Sequence, residues 1–141
     1  MSAPTAILAE LTVRGGREAI DFYISAFGAV EAYRVGGTDD HEAVVAQLQI
    51  GEAAFWVHDE APEHGTFSPK SLGGATVRLL LLVEDPDAMM AQALAAGASE
   101  IRPIKEEHRW RLGCVADPFG HHWEIGRPLV PWPPPRRREA R

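Results

Sequence analysis

Asp117-Pro118-Phe119-Gly120-His121-His122-Trp123-Glu124 is the stretch from which the fold of this chain can be worked out. Asp-Pro-x-Gly suits a type I turn, because proline pre-sets the first central position and glycine follows the second. Beyond the turn, strand alternation places His122 and Glu124 on one face and His121 and Trp123 on the other. An earlier copy of the same pattern exists. One spacing carries Ala19 onto Ala88, Ala26 onto Ala95, Gly28 onto Gly97, Ala29 onto Ala98 and Gly51 onto Gly120. In both copies an apolar strand precedes an Ala-rich helical stretch ending in Gly-Ala. Two such modules folded together make a two-fold cleft, and a His-x-Glu strand facing it is a chemical signal.

The elements follow from periodicity and end signals. Leu8 to Val13 reads as a strand. Arg14-Gly15-Gly16-Arg17 then turns the chain into a helix with Ile20, Tyr23 and Phe27 at helical spacing, ended by Gly28. Ala32 to Val35, Ala43 to Ile50 and Ala53 to His58 are predicted strands. Residues 59–75 carry the turn residues of a linker. The second module opens with Thr76 to Val83. Asp85-Pro86-Asp87 starts its helix with a capping carboxylate and a first-turn proline, and Gly97 stops it. Ser99 to Pro103, Trp110 to Val115 and His121 to Ile125 complete a second β-α-β-β-β unit.

At 141 residues the chain has the length of one domain, and modules of half that size must share a core. Twenty acidic against fourteen basic residues give a net charge of −6. Arg136, Arg137, Arg138 and Arg141 cluster at the end, so the body is more acidic still. This argues against nucleic acid, which rewards a basic surface. The apolar run Leu79 to Val83 is too short for a bilayer and the N-terminus lacks a signal-peptide pattern, so no membrane partner and a cytoplasmic location are expected. Cys114 is the only cysteine, which excludes an internal disulfide and any multi-cysteine zinc site. The segment from Pro128 to Arg141 is rich in Pro and Arg. It cannot join a sheet interior and is expected to be extended or disordered, with Trp132 packing on the body or a partner.

The tandem β-α-β-β-β repeat, Leu-Thr-Val-Arg-x-x-x-x-Ala-Ile-Asp-Phe-Tyr at residues 11–23, Ala26-Phe27-Gly28-Ala29, Ala95-Ala96-Gly97-Ala98 and the 117–124 stretch resemble the vicinal oxygen chelate superfamily. This is the superfamily of glyoxalase I, the extradiol dioxygenases and the bleomycin- and fosfomycin-resistance proteins. The likeness is strongest to its PhnB-like or bleomycin-resistance-like branch. The resemblance implies an α+β fold of tandem modules whose curved mixed sheet surrounds a cleft. It covers residues 1–127 as one such domain, with module one at about 5–60, a linker at about 61–75, module two at about 76–127 and a tail at 128–141. A homodimer is expected, because the family's clefts are often completed by a partner subunit.

In metal-dependent members, four inward positions supply His, Gln or Glu to one divalent ion, two of them on the modules' last strands, four residues after the entering glycine. Counting from Gly120 reaches Glu124. Counting from Gly51 reaches Phe55, and the first-strand positions fall on Leu8 and Arg78. One of four is filled, so no metal is expected at the full family site and no cofactor is expected. An improvised site of Glu10, His122 and Glu124, holding zinc, nickel, manganese or iron, is the alternative. Strand alternation points Glu10, Thr12, His122 and Glu124 at one cleft, which Phe55, Arg78, Leu80 and Trp110 would also line. Val57, Leu82 and Leu112 are further candidates for its apolar wall. Glu124 is either a ligand or general base, or the partner of Arg78 in an ion pair. Arg111 is expected to pair with an acid such as Asp117, and His41, His58, His64 and His108 are placed in or beside loops and given no chemistry.

Two functions follow. The first is a small-molecule-binding protein of the bleomycin-resistance type, sequestering an aromatic or cationic ligand, an antibiotic or a metabolite, without metal. The second is a divalent-metal-dependent glyoxalase-like lyase or isomerase, or an extradiol-type dioxygenase, with Glu124 as its catalytic residue. Fold alone does not choose between them.

Overall fold

The computed structural model describes residues 4–39 and 42–135. The expectations for His41 and for the terminal arginines lie outside these residues. Each half is a β-α-β-β-β unit. The first comprises β1 (Glu10–Val13), α1 (Gly16–Phe27), β2 (Val30–Gly36), β3 (Val44–Ile50) and β4 (Ala53–Asp59). A 3-10 turn at Pro62–His64 and the short helix α2 (Pro69–Leu72) occupy the linker. The second unit comprises β5 (Arg78–Leu82), α3 (Pro86–Ala96), β6 (Ser99–Glu107), β7 (Trp110–Ala116) and β8 (His122–Pro128). The strand orders are β1-β4-β3-β2 and β5-β8-β7-β6, two mixed four-stranded sheets with no closed barrel. In each, the first strand runs parallel to the last and the other pairings are antiparallel.

The helix ends fall where the sequence placed them. Gly28 takes a left-handed conformation (φ 71°) and its N–H returns to the carbonyls of Tyr23 and Ile24. Asp85 accepts from the Ala88 N–H at 3.1 Å, with Pro86 in the first turn of α3. The start of α1 is capped from a distance. The Asp59 carboxylate, at the end of β4, accepts from the N–H groups of Gly16 (2.7 Å) and Val44 (2.8 Å). A side chain at Gly16 would meet Val44 Cγ1 at 2.3 Å and Asp59 Oδ2 at 2.8 Å, so only glycine fits there.

β6 runs past the predicted stop at Pro103 to Glu107. It is an edge strand, where a missing N–H interrupts no ladder on its outer side, and its register slips between Arg102 and Lys105.

The long helices α1 and α3 pack into one core between the sheets. Ala19, Ile20, Tyr23, Ala26 and Phe27 of α1 are buried, and Gln92 of α3 donates to the carbonyls of Ser25 and Ala26. Tyr23, Phe27, Phe55 and Trp123 form an aromatic cluster, with Phe55 and Trp123 meeting from opposite sheets at 5.5 Å between ring centres. Buried Asp117 ties this core to the 117–120 turn. Its Oδ1 accepts from the N–H groups of Phe119 and His121 (both 2.9 Å), and its Oδ2 accepts from Tyr23 Oη (2.5 Å) and Trp123 Nε1 (3.0 Å). Burial, and then the charge of Asp117, push the Tyr23 hydroxyl well above its ordinary pKa. Asp117 is therefore spoken for. The predicted Arg111–Asp117 pairing does not occur, and Arg111 instead forms a bidentate pair with Asp87 of α3 at 2.7 Å.

Candidate functional site

Because the odd-numbered residues of β1, β4, β7 and β8 point to the helices, the even-numbered ones form an open face on each sheet. On the second sheet the register aligns Leu80, Glu124, Cys114 and Arg102 in one row and Arg78, His122 and Ala116 in the next. On the first sheet it aligns Glu10 with Trp56 and Gln47, and Thr12 with His58 and Val45.

The sequence-predicted residues are thus divided. His122, Glu124, Arg78 and Leu80 share the open face of the second sheet, and Trp110 lies at its far end. Glu10 and Thr12 belong to the first sheet and line a separate groove of about 410 Å³ with Phe67, Leu72, Val77 and His121. His121 bonds the Thr12 carbonyl at 2.8 Å, which anchors one module to the other. Among the described residues, no three His, Cys, Asp or Glu side chains are gathered as metal ligands. The set Glu10, His122 and Glu124 is accordingly not assembled within one chain.

Phe55 and Val57 do not line a cleft. They are 5% and 0% exposed and face the helices. Trp56 and His58 take the open positions instead. The β3–β4 connection leaves only Gly51 and Glu52 between paired Ile50 and Ala53, whereas β7–β8 leaves residues 117–121 between paired Ala116 and His122. Ala53 and His122 each stand two residues after their glycine, but Ala53 is paired on the helix-facing side and His122 on the open side, so equal counts from Gly51 and Gly120 end on opposite faces. His58 is a strand residue. Its ring nitrogens contact Thr12 Oγ1 and the Asp59 carbonyl, both at 3.2 Å.

The Glu124 ion pair has an unexpected partner. Arg102 Nη2 donates to Glu124 Oε2 at 3.2 Å, so β6 and not β5 supplies the cation. Beneath this pair Cys114 is fully buried, and desolvation is the main cause of its raised pKa.

A groove of about 490 Å³ opens beside the pair. Leu80, Leu112 and Trp110 supply its apolar surface, and Arg102, Lys105 and Glu107 its charged edge. Gly126 makes the floor possible. Its missing Cβ would stand 2.5 Å from Leu112 Cδ1, so a side chain there would lift Leu112 off the sheet. The groove's volume is that of a small-ligand site. The sequence offers no signal for Lys105, because the predicted strand ends at Pro103, and His108, placed beside a loop and given no chemistry, lines the groove as well. Trp132 packs edge-on against Trp110 at 5.3 Å, as expected of the tail's tryptophan.

Comparison with known proteins agrees with this architecture. A glyoxalase-like domain model matches residues 9–126. The uncharacterized protein Rv0887c of Mycobacterium tuberculosis is 41% identical over 129 residues, covering 88% of this chain and 75% of that protein. The crystal structure of the Arabidopsis thaliana gene product AT5G48480 superposes with a TM-score of 0.65 at 30% identity, covering 88% of this chain and 98% of that one. TioX from Micromonospora sp. ML1 superposes with a TM-score of 0.70 at 25% identity, covering 89% and 100%. With the paired modules, the sheet order and the domain match in agreement, the chain belongs to the family of proteins with a glyoxalase-like domain.

Proposed function

We propose that this protein binds a small molecule with an apolar or aromatic body, in the manner of the bleomycin-resistance branch, using the open face of the β5-β8-β7-β6 sheet. The observation that carries this reading is the groove floored by Leu80 and Leu112 and walled by Trp110. It leaves Leu80 47% exposed in the single chain, apolar surface of the kind a bound ligand or a partner covers. Glu124 is held in a salt bridge by Arg102, so it is not a free base in this reading. A second copy completes the site in this reading. Exposed Tyr33, Val35 and Val45 on the first sheet and Leu80 and Leu82 on the second are the surfaces it would cover.

The test is a ligand screen by thermal shift on the full chain, repeated with Leu112→Glu. Aromatic compounds that stabilise the parent and not the variant support the groove. A metal-dependent turnover that a chelator abolishes, and that Glu124→Ala removes, would replace this reading with the enzymatic one.

A further inference from the structure

We infer that the groove selects an organic anion, an aromatic or other flat apolar body carrying a carboxylate, through Lys105 and Arg102 of β6. The inference rests on the reading of this groove as the ligand site and specifies what it takes.

The chain as a whole carries a charge of −6, yet the groove's lining reverses that sign. Among its lining residues Lys105 and Arg102 stand with one acid, Glu107, while Glu124 beside the groove is engaged by one nitrogen of Arg102. The Lys105 side chain makes no hydrogen bond or ion pair with any described residue. Its register partner on β7 is Leu112, which places an uncommitted ammonium next to the apolar floor. Arg102 gives a single contact, from one guanidinium nitrogen to Glu124, and its side chain is 50% exposed. The rest of its donor fork is available. Both side chains are donors only, and a carboxylate accepts from two such groups at once. An ammonium would meet repulsion at the same point. The body of the ligand would then lie on Leu80 and Leu112 with its edge toward Trp110, an arrangement that aromatic rings favour.

The test uses three probes of one shape, 2-naphthoate, 2-naphthamide and 2-naphthylmethylammonium, titrated against the full chain at low salt by calorimetry. Naphthoate should bind about tenfold tighter than the amide, and the ammonium more weakly than the amide. Lys105→Met keeps the aliphatic stem and removes the charge. It should weaken naphthoate about tenfold and leave the amide unchanged. Equal binding of naphthoate and amide overturns the inference, as does tightest binding of the ammonium, or a Lys105→Met effect that is the same for all three. In those cases the groove itself survives if Leu112→Glu still abolishes binding. Failure of all three probes to bind overturns both the inference and the groove reading. A melting temperature of Lys105→Met near the parent's verifies that the variant is folded.

Discussion

Arg102 reaches across β7 to Glu124, and the thiol of Cys114 lies under the bridge they form. The thiol is shielded by the pair and by burial, so Cys114 should resist a disulfide exchange reagent in the folded parent. Arg102→Ala should raise its labelling rate about tenfold or more by opening that cover. Labelling rates with a chromogenic disulfide measure this, and equal rates in the two proteins would mean that other atoms cover the thiol.

Glu124 competes with a bound anion for Arg102. Glu124→Gln should therefore tighten binding of 2-naphthoate by about threefold, roughly the strength of one exposed ion pair. Weaker binding in this variant would make Glu124 a contact of the ligand, not a rival to it.

Asp117→Ala would strip four donors of one acceptor group, two of them the buried Tyr23 hydroxyl and Trp123 indole N–H. The expected loss is about 3 kcal/mol of folding stability. Urea denaturation followed by tryptophan fluorescence reads it. A loss below about 1 kcal/mol would show that water replaces the carboxylate.

Gly126→Ala places a methyl group within 2.5 Å of Leu112 Cδ1 and of the Arg111 carbonyl oxygen. It should destabilise the protein by about 2 kcal/mol and tilt Leu112 into the groove, reducing affinity for every naphthyl probe alike. Unchanged melting and binding would mean that β7 and β8 shift apart without cost.

Glu60 supplies a pH signature. The Ser68 backbone N–H and the Ser71 hydroxyl, with Arg14 beside them, hold its carboxyl down from 4.5 to about 2. A depressed pKa in the folded state contributes stability that is present above the unfolded value and lost as pH falls through the folded one. Glu60→Gln should thus melt below the parent at pH 7, with the difference closing between pH 4.5 and about 2. Parallel melts across that range check it, and a constant difference down to pH 2.5 would assign the effect to something other than the carboxylate's charge.

Much of the architecture is legible from local chemistry. Gly28 and Gly97 end helices, Asp85 and Pro86 begin one, and the 117–120 turn delivers Trp123 to the core and Glu124 to the open face. These features depend on neighbours in sequence. What fails depends on partners far away. The cap of α1 comes from Asp59, and the cation for Glu124 comes from β6, two strands away, in place of Arg78 on the adjacent β5. Phe55 falls on the core side because a glycine count carries no information about which face the strand's first paired residue takes. Lys105 was missed because proline stops a strand only where its N–H is needed.

Two populations of side chain share these strands without touching. In β8 the inward set, Trp123 and Ile125, holds the helices, while the outward set, His122 and Glu124, holds nothing in the core. Substitutions in the outward set can therefore recast the chemistry of the face while the inward set keeps the same protein folding. One scaffold can exchange one specificity for another a residue at a time, without passing through an unfolded intermediate sequence.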